Sequence, residues 1–333
     1  MSAWVPMTRT LCVLMLASLL GAAAPARPEK AAEDTFSGVE RVVAVGDVHG
    51  DVEALKEVLR FAGLLDAQGH WSGGKAHLVQ TGDIADRGAG TREAFELLMR
   101  LEREALAAGG RVHLLLGNHE VMNMRGDLRY VTPEELASFA DQSATPDAPG
   151  APKGLAGHQA AYGLEGRYGR WLRTHPAVVR IDGTLFLHGG LHPEVPAKTL
   201  GELNRWTRQE LFPGGAPGGG TDPRGPLWFR GYAREDEAVW GPGLEAVLTR
   251  FGARRMVMGH TPTQDGRIGV RFGGRAVLID TGLSTYYGRH LAALEIRGER
   301  LTALYPEGRV SLLVPASKPE VAPPAPGKAA PGR

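Results

Sequence analysis

The chain has 333 residues, 43% of them hydrophobic and 23% charged, which is apolar material enough for a large buried core and unlike a disordered or fibrous composition. Its 38 Lys and Arg against 37 Asp and Glu leave a formal net charge of +1. No global field therefore favours nucleic acid or an anionic membrane surface, and specificity has to come from a local site.

Arg9 precedes an apolar run from Leu11 to Leu20 that gives way to small residues, the pattern of a secretory signal peptide over residues 1–26. The run is shorter than the roughly 20 residues that span a bilayer. No stable membrane insertion is expected after processing, and export across the inner membrane to the periplasm is the expected localisation. Ala22-Ala23-Ala24 and Ala24-Pro25-Ala26 both suit signal-peptidase cleavage, with a cut close to Ala26 preferred. The single cysteine, Cys12, lies in the apolar run, so the processed chain would have neither a disulfide nor a thiolate nucleophile.

After a polar linker (27–38), Arg41 to Val45 reads as a buried strand that ends at Gly46-Asp47, and Val52, Leu55, Leu59 and Ala62 recur at helical spacing up to Gly63. The unit repeats. Ala76 to Gln80 is a strand ending at Thr81-Gly82-Asp83, and Ala94, Leu98, Leu101 and Ala105 mark a helix closed by Gly109-Gly110. Arg111 to Leu116 is a third strand, ending at Gly117-Asn118-His119. Strands that empty into a glycine and a polar residue are how open α/β sheets place sites.

From residue 126 to 173 the pattern weakens, although Thr132-Pro133-Glu134-Glu135 can start a helix. The position of this insertion suits either a cap over the site or a surface excursion. Thr184 to Leu187 and Arg255 to Met258 are strands emptying into His188 and His260. Later runs, Ala276 to Asp280, Leu291 to Ile296 and Leu301 to Tyr305, suggest a second, more antiparallel sheet. A single domain over 39–312 is expected, followed by a disordered Pro/Ala-rich tail (313–333).

Five blocks thus follow predicted strands: GDVHG (Gly46 to Gly50), GDIADRG (Gly82 to Gly88), GNHE (Gly117 to Glu120), HGG (His188 to Gly190) and GHT (Gly259 to Thr261). Singly each is a common turn; together they offer hard oxygen and imidazole ligands for a two-metal phosphoesterase. Their order and spelling resemble the PPP branch of calcineurin-like metallophosphoesterases. The string GNHEVMNMRGDLRYV (Gly117 to Val131) is similar to the bacterial Shewanella-like protein phosphatases, and the likeness runs from about Arg41 to Leu304.

The resemblance implies an α/β fold of two packed mixed β-sheets flanked by helices, a four-layer αββα sandwich. It assigns Asp47 and His49 to a first divalent ion, Asp83 as a bridge, and Asn118, His188 and His260 to a second ion. Mn²⁺ is favoured, with Fe or Zn²⁺ also suited to this donor set. Two cations about 3.5–4 Å apart need an anionic bridge, and hydroxide held between them would attack phosphorus in line.

The resemblance makes His119 the acid for the leaving group, oriented by Asp86, with Arg87 holding phosphate oxygens. A second phosphate-binding arginine is placed at Arg230 in LWFRGYARED (Leu227 to Asp236), with Arg234 as runner-up. That block departs from the LWSDP and NDRG strings of the eukaryotic PPP enzymes. Gly259-His260-Thr261-Pro262 replaces their arginine-glycine-histidine-glutamine string, which argues against transferring eukaryotic substrate grooves. Trp206, Trp228 and Trp240 can line an aromatic wall, though core packing explains them more simply.

The expected activity is phosphomonoester hydrolysis on a phosphorylated protein or small phosphoester, with phosphotyrosine favoured over phosphoserine and phosphothreonine. A nucleotide or diadenosine polyphosphate hydrolase shares the same blocks, and a non-catalytic metal- and phosphate-binding protein is a third reading. The pairing of His119 with Asp86 argues against the last, since a binding module needs no oriented acid.

Overall fold

The computed structural model describes Met1 and residues 34–312. The expected signal peptide, residues 27–33 of the linker and the tail (313–333) lie outside the described residues.

Twelve strands among the described residues form two six-stranded sheets. In chain order they are β1 (Thr35–Phe36), β2 (Val42–Val45), β3 (His77–Gln80), β4 (Arg111–Leu114), β5 (Val178–Ile181), β6 (Thr184–Leu187), β7 (Arg255–Met258), β8 (Gly269–Arg271), β9 (Ala276–Leu278), β10 (Ala293–Arg297), β11 (Arg300–Tyr305) and β12 (Gly308–Leu312). One sheet runs β1-β5-β6-β7-β9-β8 and the other β12-β11-β10-β2-β3-β4. The helices are α1 (Val52–Phe61), α2 (Thr91–Ala107), α3 (Asn118–Met124), α4 (Pro133–Ser138), α5 (Leu155–Tyr162), α6 (Arg167–Arg173), α7 (Leu200–Arg208), α8 (Gly231–Arg234) and α9 (Glu237–Arg250).

The period of two along each strand explains the layering. In β2, Val42 and Ala44 join an interior made with Phe186, Val257 and Val277 of the other sheet, whereas Val43 and Val45 pack with Leu55 and Leu59 of α1. Strands apolar on both faces are what a sheet covered on both sides requires. Helix α1 starts where Asp51 accepts from the Ala54 N–H at 2.9 Å, a side-chain cap on an otherwise orphaned donor. The expected αββα sandwich is the observed architecture.

The late strands do not build a sheet of their own. β9 pairs parallel with β7, while β10 pairs antiparallel with β2, Leu294 opposite Ala44. Strand identity follows from local apolar patterning, but pairing is decided by which edges remain open after the parallel units have formed. Part of the expected linker is also ordered: β1 extends the first sheet, with Thr35 opposite Arg180 of β5.

Candidate metal centre and active site

The ends of β2, β3, β6 and β7 and the start of α3 converge, and they carry the five blocks. The approach is close. A Cβ on Gly117 would run into the N–H and carboxylate of Asp83, and Gly82 (φ +92°) lies against the Gly117 backbone in a conformation that only glycine adopts freely. His49, Asp83, Asp86, Arg87 and His260 also have positive φ. Such strain persists only where neighbours over-determine it. Much of that restraint comes from Glu120, whose buried carboxylate accepts the N–H groups of Gly117 (2.9 Å), Asp83 (2.9 Å), Ile84 (2.8 Å) and Ala85 (3.1 Å).

The six groups singled out as ligands meet around one carboxylate. Asp83 Oδ2 lies 3.2 Å from His188 Nε2, 3.8 Å from His49 Nε2 and 3.7 Å from His119 Nε2. Two sets of donors, His49 with Asp83 and His119, and Asp83 with His188 and His260, each lie within 4.8 Å, and Asp83 is common to both. Asn118 Oδ1 is 2.9 Å from His188 Nε2, and Asp47 accepts the His260 N–H at 3.1 Å and stands 3.9 Å from His49 Nε2. Second contacts orient the imidazoles: His49 Nδ1 meets Ala85 O at 3.1 Å and His188 Nδ1 meets Thr81 O at 2.9 Å.

This donor set fits a pair of cations. His260 Nε2 is buried with no hydrogen-bond partner, as suits a nitrogen whose lone pair serves a cation. Burial lowers the His49 imidazole to about 4 and holds His260 well below the usual histidine range, so both present neutral nitrogens. Burial and the neighbouring Asp280 and Asp83 push Asp47 well above the ordinary carboxylate range. Burial opposes ionisation of Asp83 as well, yet His188 and His119 hold it well below that range. Crowded buried carboxylates of this kind are stable when a cation shares them.

Beside this centre, His119 Nδ1 is 2.5 Å from Asp86 Oδ2, and Asp86 Oδ1 accepts Asn123 Nδ2 at 2.8 Å. Burial alone would lower His119, but Asp83 and Asp86 override it and raise the imidazole to about 9. Its Nε2 is thereby left pointing to the Asp83 side. Arg87 stacks on Tyr130 at 4.1 Å and donates to the Tyr286 hydroxyl at 2.9 Å. Arg230 faces inward, donating to His260 O at 2.6 Å and Thr261 Oγ1 at 3.0 Å, whereas Arg234 is exposed.

Several groups at the site were not singled out by sequence. Asp280 is buried behind Asp47 and is raised to about 6 by burial and Asp83. It ends the β9 run with the same strand-to-carboxylate signature as Asp47, so that signal was available. Tyr130, Tyr286 and Tyr287 surround Arg87, and Tyr287 lies 5.3 Å from the His49 ring. Of the three tryptophans, Trp228 stands edge-on to His260 at 5.8 Å, while Trp240 packs against Phe229 and Tyr232.

The calcineurin-like phosphoesterase family profile matches residues 40–264. The chain belongs to this family. Among its calcineurin-like relatives, Shewanella-like protein phosphatase 2 of Arabidopsis thaliana is 33% identical over 88% of this chain and 86% of the plant protein. Shewanella-like protein phosphatase 1 of Plasmodium berghei is 29% identical over 75% of this chain and 69% of that protein. The crystal structure of a cold-active protein-tyrosine phosphatase from a psychrophilic Shewanella matches with a TM-score of 0.70 at 30% identity, covering 84% of this chain and 82% of that one. As a calcineurin-like phosphoesterase of the Shewanella-like branch, the chain is a binuclear metallophosphatase that uses divalent metals.

Proposed function

We propose that this metallophosphatase dephosphorylates proteins with a preference for phosphotyrosine, that Asp47, His49 and Asp83 hold one ion, and that Asp83, Asn118, His188 and His260 hold the other. The sharing of Asp83 between two donor sets carries the two-metal part of this reading, and Asp47 and Asn118 join them through their contacts with His49, His260 and His188. Bound there, two divalent ions supply Lewis acidity, neutralise phosphate charge and acidify water for an in-line displacement. Mn²⁺ is the ion we assign, from among the Mn²⁺, Fe and Zn²⁺ that oxygen and imidazole donors suit alike.

The chain's own residues complete the reaction. Arg87 and Arg230 hold phosphate oxygens through their planar forks of donors. His119 gives the proton at Nε2 to the departing oxygen of the substrate, while Asp86 fixes the other nitrogen and the orientation of the ring. Glu120 keeps Asp83 at its post through the backbone.

The phosphotyrosine preference is supported by Tyr286, which is 59% exposed at the rim beside Arg87 and offers a ring face to an aryl group. The name of the Shewanella protein points the same way. Export to the periplasm, supported by Arg9 and the Leu11 to Leu20 run, is part of the same reading. Turnover on phosphotyrosyl peptide, phosphoseryl peptide and diadenosine tetraphosphate with defined Mn²⁺ tests it. The highest kcat/KM is expected on the phosphotyrosyl peptide; a clear preference for the dinucleotide would overturn it.

A further inference from the structure

On the backbone side of Asp86, the segment 126–173 supplies buried polar groups that the reaction so far leaves without a task. Glu135 of α4 is fully buried and turns Oε1 to the Asp86 N–H at 3.3 Å, while its Oε2 is buried with no hydrogen-bond partner. On α5, both ring nitrogens of His158 and the Tyr162 hydroxyl are likewise buried without partners, and the two rings stack at 4.4 Å. Asn123, which donates to Asp86 and to His119 O, keeps its own Oδ1 buried and unpartnered.

The turn that Glu135 meets is strained. Asp86 and Arg87 are consecutive non-glycine residues at φ 72° and 70°, and both of their N–H groups are held from this segment, Asp86 by Glu135 and Arg87 by Tyr130 O at 3.1 Å. The same turn aims one carboxylate at His119 and one guanidinium at the phosphate position. Burial, with the Asp86 carboxylate beside it, pushes Glu135 up to about 8, and burial lowers His158 to about 4. Both are therefore uncharged near neutral pH.

We propose that Glu135 is a positioning residue for the acid step: by accepting the Asp86 N–H it fixes the Asp86–Arg87 turn and so keeps the Asp86 carboxylate facing His119 Nδ1. The proposal rests on the reading of His119 as the proton donor. It predicts a defect that depends on the leaving group, because a poor leaving group needs the proton and a good one does not.

The test compares Mn²⁺-loaded wild type, Glu135→Leu, Glu135→Gln and Glu135→Asp on phenyl phosphate and on p-nitrophenyl phosphate. Glu135→Leu is expected to lower kcat on the phenyl ester by about tenfold and on the nitrophenyl ester by much less, while any rise in KM through Arg87 is the same for the two esters. Glu135→Gln, which keeps an acceptor and a donor without charge, is expected to recover most of that loss. Equal losses on the two esters, a change confined to KM, or a glutamine variant as poor as the leucine one would overturn the proposal. If Glu135→Leu does not fold, Glu135→Asp decides, since its side chain is too short to reach the Asp86 N–H and should show the same leaving-group dependence; an unchanged ratio would overturn the proposal. A wild type inactive on both esters would instead remove the parent reading.

Discussion

Glu120 holds Asp83 from below: its Oε2 accepts the Asp83 N–H at 2.9 Å, and it collects the N–H groups of Gly117, Ile84 and Ala85 as well. Glu120→Ala would orphan these buried donors together, and each unsatisfied group costs about 1–3 kcal/mol. A stability loss of more than about 3 kcal/mol is expected in thermal or denaturant unfolding. A variant as stable as wild type would show that the carboxylate is dispensable to the fold of the site.

His119 should separate chemistry from metal binding. His119→Ala is expected to keep near-normal metal content while turnover falls by roughly 10²–10⁴. Elemental analysis beside steady-state kinetics checks this. Loss of both ions would recast His119 as a ligand, a role its membership of one donor set makes worth testing.

The proposed ligands were legible as candidates because each sits where an apolar strand runs out into a glycine and a polar residue, a local signal. Asp280 follows the same rule after β9. Glu135 and Tyr286 have no such signal. They reach Asp86 and Arg87 across 49 and 199 residues, so their roles exist only in the folded chain. The same reason hid the pairing of β10 with β2: the run from Leu291 to Ile296 announces a strand, but nothing local says which edge it will meet.

Tyr286 is expected to read the substrate rather than the phosphate. Tyr286→Ala should raise KM for a phosphotyrosyl peptide several-fold and leave a phosphoseryl peptide nearly unchanged, since an aromatic pair contributes about 0.5–1.5 kcal/mol. Arg87→Ala should weaken both peptides. Equal effects of Tyr286→Ala on the two peptides would mean that its contact with Arg87 is its main contribution.

Glu135 also gives a pH-dependent stability difference. Its pKa is about 8 when folded, against about 4.3 in an unfolded chain, so it favours the folded state most below pH 4 and that contribution is lost as pH rises towards 8. Glu135→Gln does not lose it. The variant should gain on wild type between pH 5 and 8, by an amount on the order of a few kcal/mol, and level off above. Parallel melting curves across pH would contradict an uncharged buried carboxyl.

The shared position of Asp83 is tested most directly by metal stoichiometry alongside aryl phosphate turnover, for wild type and Asp83→Asn. Wild type should bind two ions per chain, lose turnover on chelation and regain it with Mn²⁺, and Asp83→Asn should lose affinity for both ions together. Full turnover after chelation, or two ions retained with unchanged affinity in Asp83→Asn, would contradict a two-metal centre built on one bridging carboxylate.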